Sequence, residues 1–124
     1  MEKIKVFVVD DNQAARAMLS HMIDTQSDME TVGEGGSGKA SLPLIEKIKP
    51  DVVMLEVETG DVLALNEIMT QIRSIDPNIH VIVCAAPNAD ELVDPLTASG
   101  AEDFIKKPYN KANIFRTIRH TQTR

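Results

Sequence analysis

Short β-branched apolar segments alternate with amphipathic segments along the whole chain, and this alternation constrains the fold more than any other feature of the sequence. Runs rich in Val and Ile favour strands, whereas apolar residues at three- and four-residue spacing favour helices. The predicted strands are Ile4–Val9, Met29–Glu34, Asp51–Leu55, Ile79–Cys84 and Ala101–Lys106. The predicted helices span about 13–25, 39–48, 62–74, 89–99 and 111–121.

Five strand–helix units with short connections predict one α/β domain over residues 1–124, with no output domain. Parallel strands need crossover helices, so we expect a five-stranded, doubly wound parallel sheet with helices on both faces. In such folds sites form at the carboxyl edge of the sheet. The residues at or just beyond the predicted strand ends are Asp10, Asp11, Glu56, Ala85 and Lys107.

Two predicted helices carry further expectations. Asn12 is placed to cap the first helix, which would turn Ala14, Met18 and Ile23 towards the core. Pro95 lies inside the fourth predicted helix, where a missing N–H group and a steric clash should kink or shorten the helix.

Composition excludes several classes of function. A net charge of −6 argues against nonspecific nucleic-acid binding, which needs a basic surface. The single cysteine, Cys84, lies in an apolar run and is predicted to be a buried, reduced thiol. No apolar run approaches the ~20 residues of a membrane span, and the N-terminus lacks a signal-peptide pattern. The sequence therefore predicts a cytoplasmic protein without membrane insertion.

Three carboxylates at strand ends predict an acidic pocket. Asp10 and Asp11 follow the first strand, and Glu56 closes the apolar run that begins at Val52. Clustered carboxylates are costly unless a cation or a proton offsets them, and oxygen ligands suit Mg²⁺. The pocket is thus a candidate for a weak Mg²⁺ site, with Lys107 as a second counter-charge. For the acidic pair alone, the alternative is stabilisation of a helix N-terminus.

Other motifs carry little chemistry. The segment 33–39 has the glycine and lysine spacing of a phosphate-binding loop, but Ala40 stands where a Ser or Thr is required, which favours a flexible turn at residues 35–38. The 3 histidines have no patterned partners, and no serine lies in a nucleophile elbow. A flavin-binding α/β domain is an alternative of another class, although it would need stacking aromatic residues, and those are scarce here.

Five short matches, in the correct order and spacing, resemble the receiver domain of bacterial response regulators, of the chemotaxis-regulator type, over the whole chain. The matching segments are Val8-Val9-Asp10-Asp11 with Arg16 and Leu19, Val32-Gly33-Glu34 with Gly38, Lys49–Leu55, Ser99-Gly100-Ala101 and Phe104–Pro108. The resemblance implies a flavodoxin-like receiver fold and a role in two-component (phosphorelay) signal transduction, as a signalling module rather than an enzyme. It also implies a protein partner, either a histidine kinase or a downstream signalling protein. That partner would bind the face formed by the fourth helix, the fifth strand and the last helix.

The resemblance also assigns roles in the acidic pocket. In that family an aspartate ending the third strand accepts a phosphoryl group from a histidine kinase, while an acidic pair holds Mg²⁺. Carried over by position, Glu56 is the phosphoacceptor equivalent, and Asp10 and Asp11 are the acidic pair. Lys107 takes the place of the lysine that binds phosphoryl oxygens.

Two further positions correspond to the family's switch. A Ser or Thr ending the fourth strand normally binds the phosphoryl group, and an aromatic residue of the fifth strand turns inward when that hydroxyl moves. Here these positions are Ala85 and Phe104. The family's bond between this lysine and the following proline is typically cis, so the Lys107–Pro108 bond is expected to be cis as well.

Three departures from the family pattern decide the interpretation. Glu56 replaces the acceptor aspartate, Ala85 lacks the hydroxyl, and the segment 57–64 lacks the Met-Pro pair and has no glycine at the later position where the family carries one. Glutamate carries its carboxylate one methylene farther out, and in-line phosphoryl transfer tolerates little misplacement. The carboxylate would instead reach Lys107 and partly imitate a phosphoryl group.

We therefore interpret the chain as an atypical stand-alone receiver that acts through protein–protein interaction without conventional aspartyl phosphorylation. The alternative is a conventional phosphorelay receiver in which Glu56 has replaced an aspartate and mimics or blocks phosphorylation.

Overall fold

The computed structural model describes residues 2–57, 62–85 and 103–123, and of residues 62 and 63 the backbone alone. Within these residues the strands are β1 (Ile4–Val9), β2 (Met29–Gly35), β3 (Val52–Val57), β4 (His80–Ala85) and β5 (Asp103–Lys106). The helices are α1 (Gln13–Asp24), α2 (Gly38–Ile48), α3 (Val62–Ile75) and α4 (Lys111–Thr121). These elements confirm the predicted alternation, and where both ends fall within the described residues they differ from the predicted ends by two residues at most. The helix predicted around Pro95 lies outside the described residues.

The strands form one parallel sheet in the order β2-β1-β3-β4-β5, the order of flavodoxin-like folds. Because the chain winds outward in both directions from β1 and β3, their carboxyl ends border the crevice in which such folds bind ligands. The predicted doubly wound sheet is therefore confirmed. Among the described helices, none has the length and apolar character needed to span a bilayer.

Each face of the sheet has its own apolar core. The α2–α3 core contains alternate residues of the strands with side chains from α2 and α3: Phe7, Val9, Ile45, Val53, Leu55, Met69, Ile72, Val81, Val83 and Ala85. The α1–α4 core takes the intervening strand residues with side chains from α1 and α4: Val6, Val8, Leu19, Ile23, Met54, Ile82, Cys84, Ile114 and Ile118. Strand β3 is buried on both faces, as a central parallel strand should be.

The inner face of α1 differs from the predicted one. Asn12 caps the helix as expected, since its side-chain oxygen accepts a hydrogen bond of 2.9 Å from the Ala15 amide. Ile23 is buried, but Ala14 is exposed and Met18 is 48% exposed, so those two assignments were wrong. The buried stripe instead includes Leu19, one residue further along the helix. The helix α1 is thus rotated about its axis relative to the predicted orientation, and Arg16 lies towards the sheet, where it contacts the end of β1.

Close packing accounts for two glycines in the last part of β2. A Cβ atom on Gly33 would lie 2.6 Å from the Phe7 ring, and one on Gly35 would lie 3.0 Å from Ser41 Cβ. Any larger residue would push β2 away from the residues beneath it. The turn itself is short, because β2 ends at Gly35 and Ser37 caps α2 through a 3.1 Å hydrogen bond from the Ala40 amide.

Candidate functional site

Asp10 is held by several hydrogen bonds at the carboxyl edge of the sheet. It directly follows β1 and is 2% exposed. Its amide donates to the Gly35 carbonyl at 3.0 Å, and its Oδ1 accepts from the Asn12 amide at 2.9 Å. Arg16 Nη1 donates to the Asp10 carbonyl at 2.6 Å. The second carboxylate oxygen, Oδ2, faces Lys107.

Glu56 lies near the end of β3, beside β1 in the sheet. Its side chain is 13% exposed. Glu56 Oε2 accepts a long hydrogen bond of 3.5 Å from the Asp11 amide, while Oε1 faces Lys107. Carboxylate oxygens of Asp10, Asp11 and Glu56 lie within 4.8 Å of one another. The acids named from the sequence therefore share one pocket, which we call the acidic pocket.

Lys107 enters the acidic pocket from the loop after β5. Its Nζ lies 3.4 Å from Asp10 Oδ2 and 3.7 Å from Glu56 Oε1, so one ammonium group serves two carboxylates. The Lys107 amide donates to the Ala85 carbonyl at 2.7 Å, and the Lys107–Pro108 bond is cis. With three carboxylates and one ammonium group, the acidic pocket keeps a formal charge of −2.

The electrostatics of the acidic pocket act chiefly on Glu56. Burial raises the pKa of its carboxyl group above the ordinary value, and the Asp10 carboxylate raises it further, while Lys107 opposes both. Ionised Glu56 is thus destabilised by its own surroundings. A further cation in the acidic pocket would relieve this cost.

The donor set of the acidic pocket fits a hard divalent cation. Its ligand atoms are carboxylate oxygens, which Mg²⁺ prefers, and Mg²⁺ binds through few protein ligands because it retains several waters. Asp10 is anchored through its backbone and through Oδ1, whereas Asp11 is exposed and free to approach an ion. Lys107 already neutralises part of the charge, and it would compete with a metal ion for Asp10 and Glu56.

Both switch-equivalent positions are associated with the α2–α3 core. Ala85 is fully buried there at the end of β4, and Phe104 packs against the same core. In the register of β4 and β5, Phe104 pairs with Val83, two residues before Ala85. Phe104 thus packs against apolar residues of the sheet, and position 85 contributes no hydroxyl.

The structure adds two residues to the acidic pocket that sequence reasoning did not assign to it. Arg16 was noted only as part of a motif, yet it binds the Asp10 carbonyl. The Tyr109 ring lies 5.9 Å from Lys107 Nζ, a cation–π distance. The only indication of this contact in the sequence is that Tyr109 directly follows Lys107-Pro108. Nearby Cys84 is buried and free, as predicted, and burial raises the pKa of its thiol to about 12.

Comparisons with known proteins agree with this geometry. The family described as "Response regulator receiver domain" matches residues 6–119. The chain is 31% identical over 114 residues to chemotaxis protein CheY of Thermotoga maritima, covering 92% of this chain and 93% of that protein. It is 33% identical over 118 residues to response regulator protein VraR of Staphylococcus saprophyticus, covering 95% of this chain but 56% of VraR. The chain thus spans little more than half of the VraR relatives that it matches.

A solved structure shows the same architecture. The response regulator domain of Thermotoga maritima CheB superposes with a TM-score of 0.79 at 28% sequence identity, covering 99% of this chain and 98% of that one. The chain belongs to the response regulator receiver domain family, the receiver modules of two-component signal transduction.

Proposed function

We propose that this receiver domain works as a protein-interaction module without conventional aspartyl phosphorylation and has no enzymatic activity of its own. One observation carries the proposal. At the position of the family's acceptor aspartate stands Glu56, whose Oε1 lies 3.7 Å from Lys107 Nζ. The group that would bind a phosphoryl oxygen already has a carboxylate as its partner.

The geometry of Glu56 disfavours it as a nucleophile. One oxygen faces Lys107 Nζ at 3.7 Å and the other accepts a long hydrogen bond of 3.5 Å from the Asp11 amide, so each oxygen already has an electrostatic partner within the acidic pocket. The extra methylene advances the carboxylate by about one bond length into the volume that a phosphoryl group would need, and misplacement of about 1 Å can cost about a hundredfold in rate. Phosphoryl transfer relies almost entirely on positioning and charge stabilisation, so this loss has little to compensate it.

Glu56 also imitates only part of a phosphorylated state. Its charge is about −1, against roughly −2 for a phosphoryl group near neutral pH. Ala85 supplies no hydroxyl that the acidic pocket could draw towards itself. Glu56 therefore provides the negative charge and the ion pair with Lys107. The connection from the acidic pocket to Phe104 lacks the hydroxyl group that the family has at the position of Ala85.

We also propose that Asp10, Asp11 and Glu56 form a weak Mg²⁺ site. When bound, the ion would neutralise the excess negative charge of the acidic pocket. Asp10 and Glu56 would hold it at the inner side and Asp11 at the exposed side. The proximity of Lys107 to the two inner carboxylates is the reason for weak binding.

The output would come from a protein partner, such as a histidine kinase or a downstream signalling protein. We assign the contact to the face that includes β5 and α4, next to the loop that carries Lys107. On this surface α4 presents Arg116 and His120, while Arg119 is paired with Asp28 at 2.7 Å.

Incubation with acetyl phosphate and Mg²⁺, followed by intact-mass analysis, tests the proposal. The expected result is no added phosphoryl mass on the wild-type chain. Glu56→Gln is the matched control, because it keeps the side-chain length and removes the nucleophile. A stable mass gain that maps to Glu56 and disappears in Glu56→Gln would overturn the proposal.

The second candidate is a conventional receiver in which Glu56 replaces an aspartate. The observation in its favour is that Asp10, Asp11 and Lys107 keep the arrangement of a charged receiver pocket. Glu56→Asp separates the two candidates. If that change alone restored phosphorylation and a conformational response at Phe104, the second candidate would replace the first.

A further inference from the structure

Arg16 joins three elements at the edge of the acidic pocket. It projects from α1, and its side chain is 20% exposed. Its Nη1 donates to the Asp10 carbonyl beyond β1 at 2.6 Å, and its Nε lies 3.4 Å from Glu34 Oε1 near the end of β2. The guanidinium therefore lies between the ends of two neighbouring strands and the helix that follows one of them.

The bond to the Asp10 carbonyl meets a specific need. Asp10 is almost fully buried, so its backbone carbonyl requires a partner within the protein. The amide and Oδ1 are already engaged by Gly35 and Asn12. With Arg16 on the carbonyl, the residue has one polar atom left, Oδ2, and that atom points at Lys107 at 3.4 Å.

We propose that Arg16 is a positioning residue for the acidic pocket. By holding the Asp10 carbonyl and Glu34 together, it fixes the orientation in which Asp10 Oδ2 faces Lys107 and a divalent cation. The inference rests on the cation site proposed above. Arginine suits this task because its rigid, planar group presents several donors in different directions, whereas lysine is a compact point charge.

The direction in which cation affinity changes when Arg16 is removed distinguishes a positioning role of Arg16 from a purely electrostatic one. If Arg16 acted only through its positive charge, it would repel a cation, and its removal would tighten cation binding. If it positions Asp10, its removal loosens binding. Outer-shell partners of metal ligands typically contribute 10–100-fold in metal affinity. Because Arg16 acts through the backbone, we expect a loss of roughly tenfold, the lower end of this range.

The test uses Mn²⁺ as the probe on the full chain. Its affinity is read from paramagnetic broadening of backbone amide resonances near the acidic pocket, with Mg²⁺ as competitor. Arg16→Met and Arg16→Lys should both weaken Mn²⁺ binding, and Glu34→Gln should do so less. The matched control is Arg119→Met, which removes an arginine bound to Asp28 at 2.7 Å, outside the acidic pocket, and should leave the affinity unchanged.

A second readout does not depend on the metal. The Asn12 amide donates to Asp10 Oδ1 at 2.9 Å, so its hydrogen exchange reports the orientation of Asp10 in metal-free protein. Exchange at Asn12 should be faster in Arg16→Met than in wild type or Arg119→Met. Should Arg16→Met fail to fold, Arg16→Lys provides both readouts.

The outcomes separate this inference from the proposed cation site. Mn²⁺ affinity in Arg16→Met equal to or tighter than that of wild type overturns the positioning role. If wild-type protein binds no Mn²⁺, the cation site is wrong, and Asn12 exchange alone decides the role of Arg16. In that case, unchanged exchange of the Asn12 amide in Arg16→Met overturns the positioning role of Arg16, and faster exchange supports it.

Discussion

Replacing Lys107 with Met should destabilise the domain, because it leaves two clustered carboxylates without their shared counter-charge. At an effective dielectric constant of about 20, the Coulomb attraction is about 5 kcal/mol to Asp10 Oδ2 at 3.4 Å and somewhat less to Glu56 Oε1 at 3.7 Å. Desolvation offsets most of this gross attraction, and 30% exposure of Lys107 screens the remainder. We expect a net loss of about 2 kcal/mol in the free energy of unfolding at neutral pH.

Urea denaturation in the presence of a chelator measures this loss. Lys111→Met is the matched control: Lys111 is exposed on α4, so the same exchange there should change stability by no more than about 0.5 kcal/mol. A double-mutant cycle with Glu56→Gln isolates the Lys107–Glu56 contact, and we expect a coupling of about 1 kcal/mol. The loss in Lys107→Met should shrink towards acidic pH, as Glu56 takes up a proton. A coupling near zero, with a loss no larger than in Lys111→Met, would refute the ion-paired acidic pocket.

Three further changes test other parts of the structure. Because the pKa of Glu56 is raised, the folded state keeps this proton to higher pH than the unfolded state, and wild-type stability falls as pH rises above the ordinary value of 4.5. In chelator, the free energy of unfolding of Glu56→Gln relative to that of wild type should therefore increase with pH. A difference that does not change with pH would contradict the raised pKa. Gly33→Ala places a Cβ 2.6 Å from an aromatic ring of β1 and should lower the free energy of unfolding, measured by urea denaturation, by about 1–3 kcal/mol. Gly36→Ala is the control, because its Cβ would meet nothing closer than 3.9 Å, and it should be nearly neutral. Equal effects of the two changes would refute the packing argument. The hydrogen bond from Arg119 lowers the pKa of Asp28, so the stabilisation by this pair is present above the ordinary value of 3.8 and is lost as pH falls through the lowered pKa. Arg119→Met should lower the free energy of unfolding by about 0.2–1 kcal/mol at neutral pH and by less in acid. A loss of the same size in acid would indicate lost packing instead.

Much of the fold is predictable because its signals are local. Val- and Ile-rich runs determine where strands form, and Asn12 and Ser37 show where helices begin. The order of strands in the sheet comes from the family resemblance, since adjacency depends on contacts far apart in sequence. The face that α1 turns to the core was mispredicted for a similar reason. Ala14 and Met18 form as plausible an apolar stripe as the residues that are actually buried.

The acidic pocket was predictable in its members and less so in its contacts. Asp10 and Lys107 directly follow strands and Glu56 lies near the end of one, so parallel pairing brings them to one edge of the sheet. Their individual partners depend on distances of a few ångströms that no sequence pattern encodes. The bond from Arg16 to the Asp10 carbonyl is an example, since a backbone acceptor leaves no mark on residue type.

The most direct test of the central claim follows Glu56 itself during exposure to a phosphoryl donor. Wild-type protein with labelled glutamate carboxyl groups is incubated with acetyl phosphate and Mg²⁺, and the Glu56 carboxyl resonance and the intact mass are recorded on the same sample. Because we assign Glu56 to an ion pair with Lys107, the resonance should remain and the mass should not change. Loss of the free Glu56 carboxyl resonance together with a phosphoryl mass gain would contradict the account.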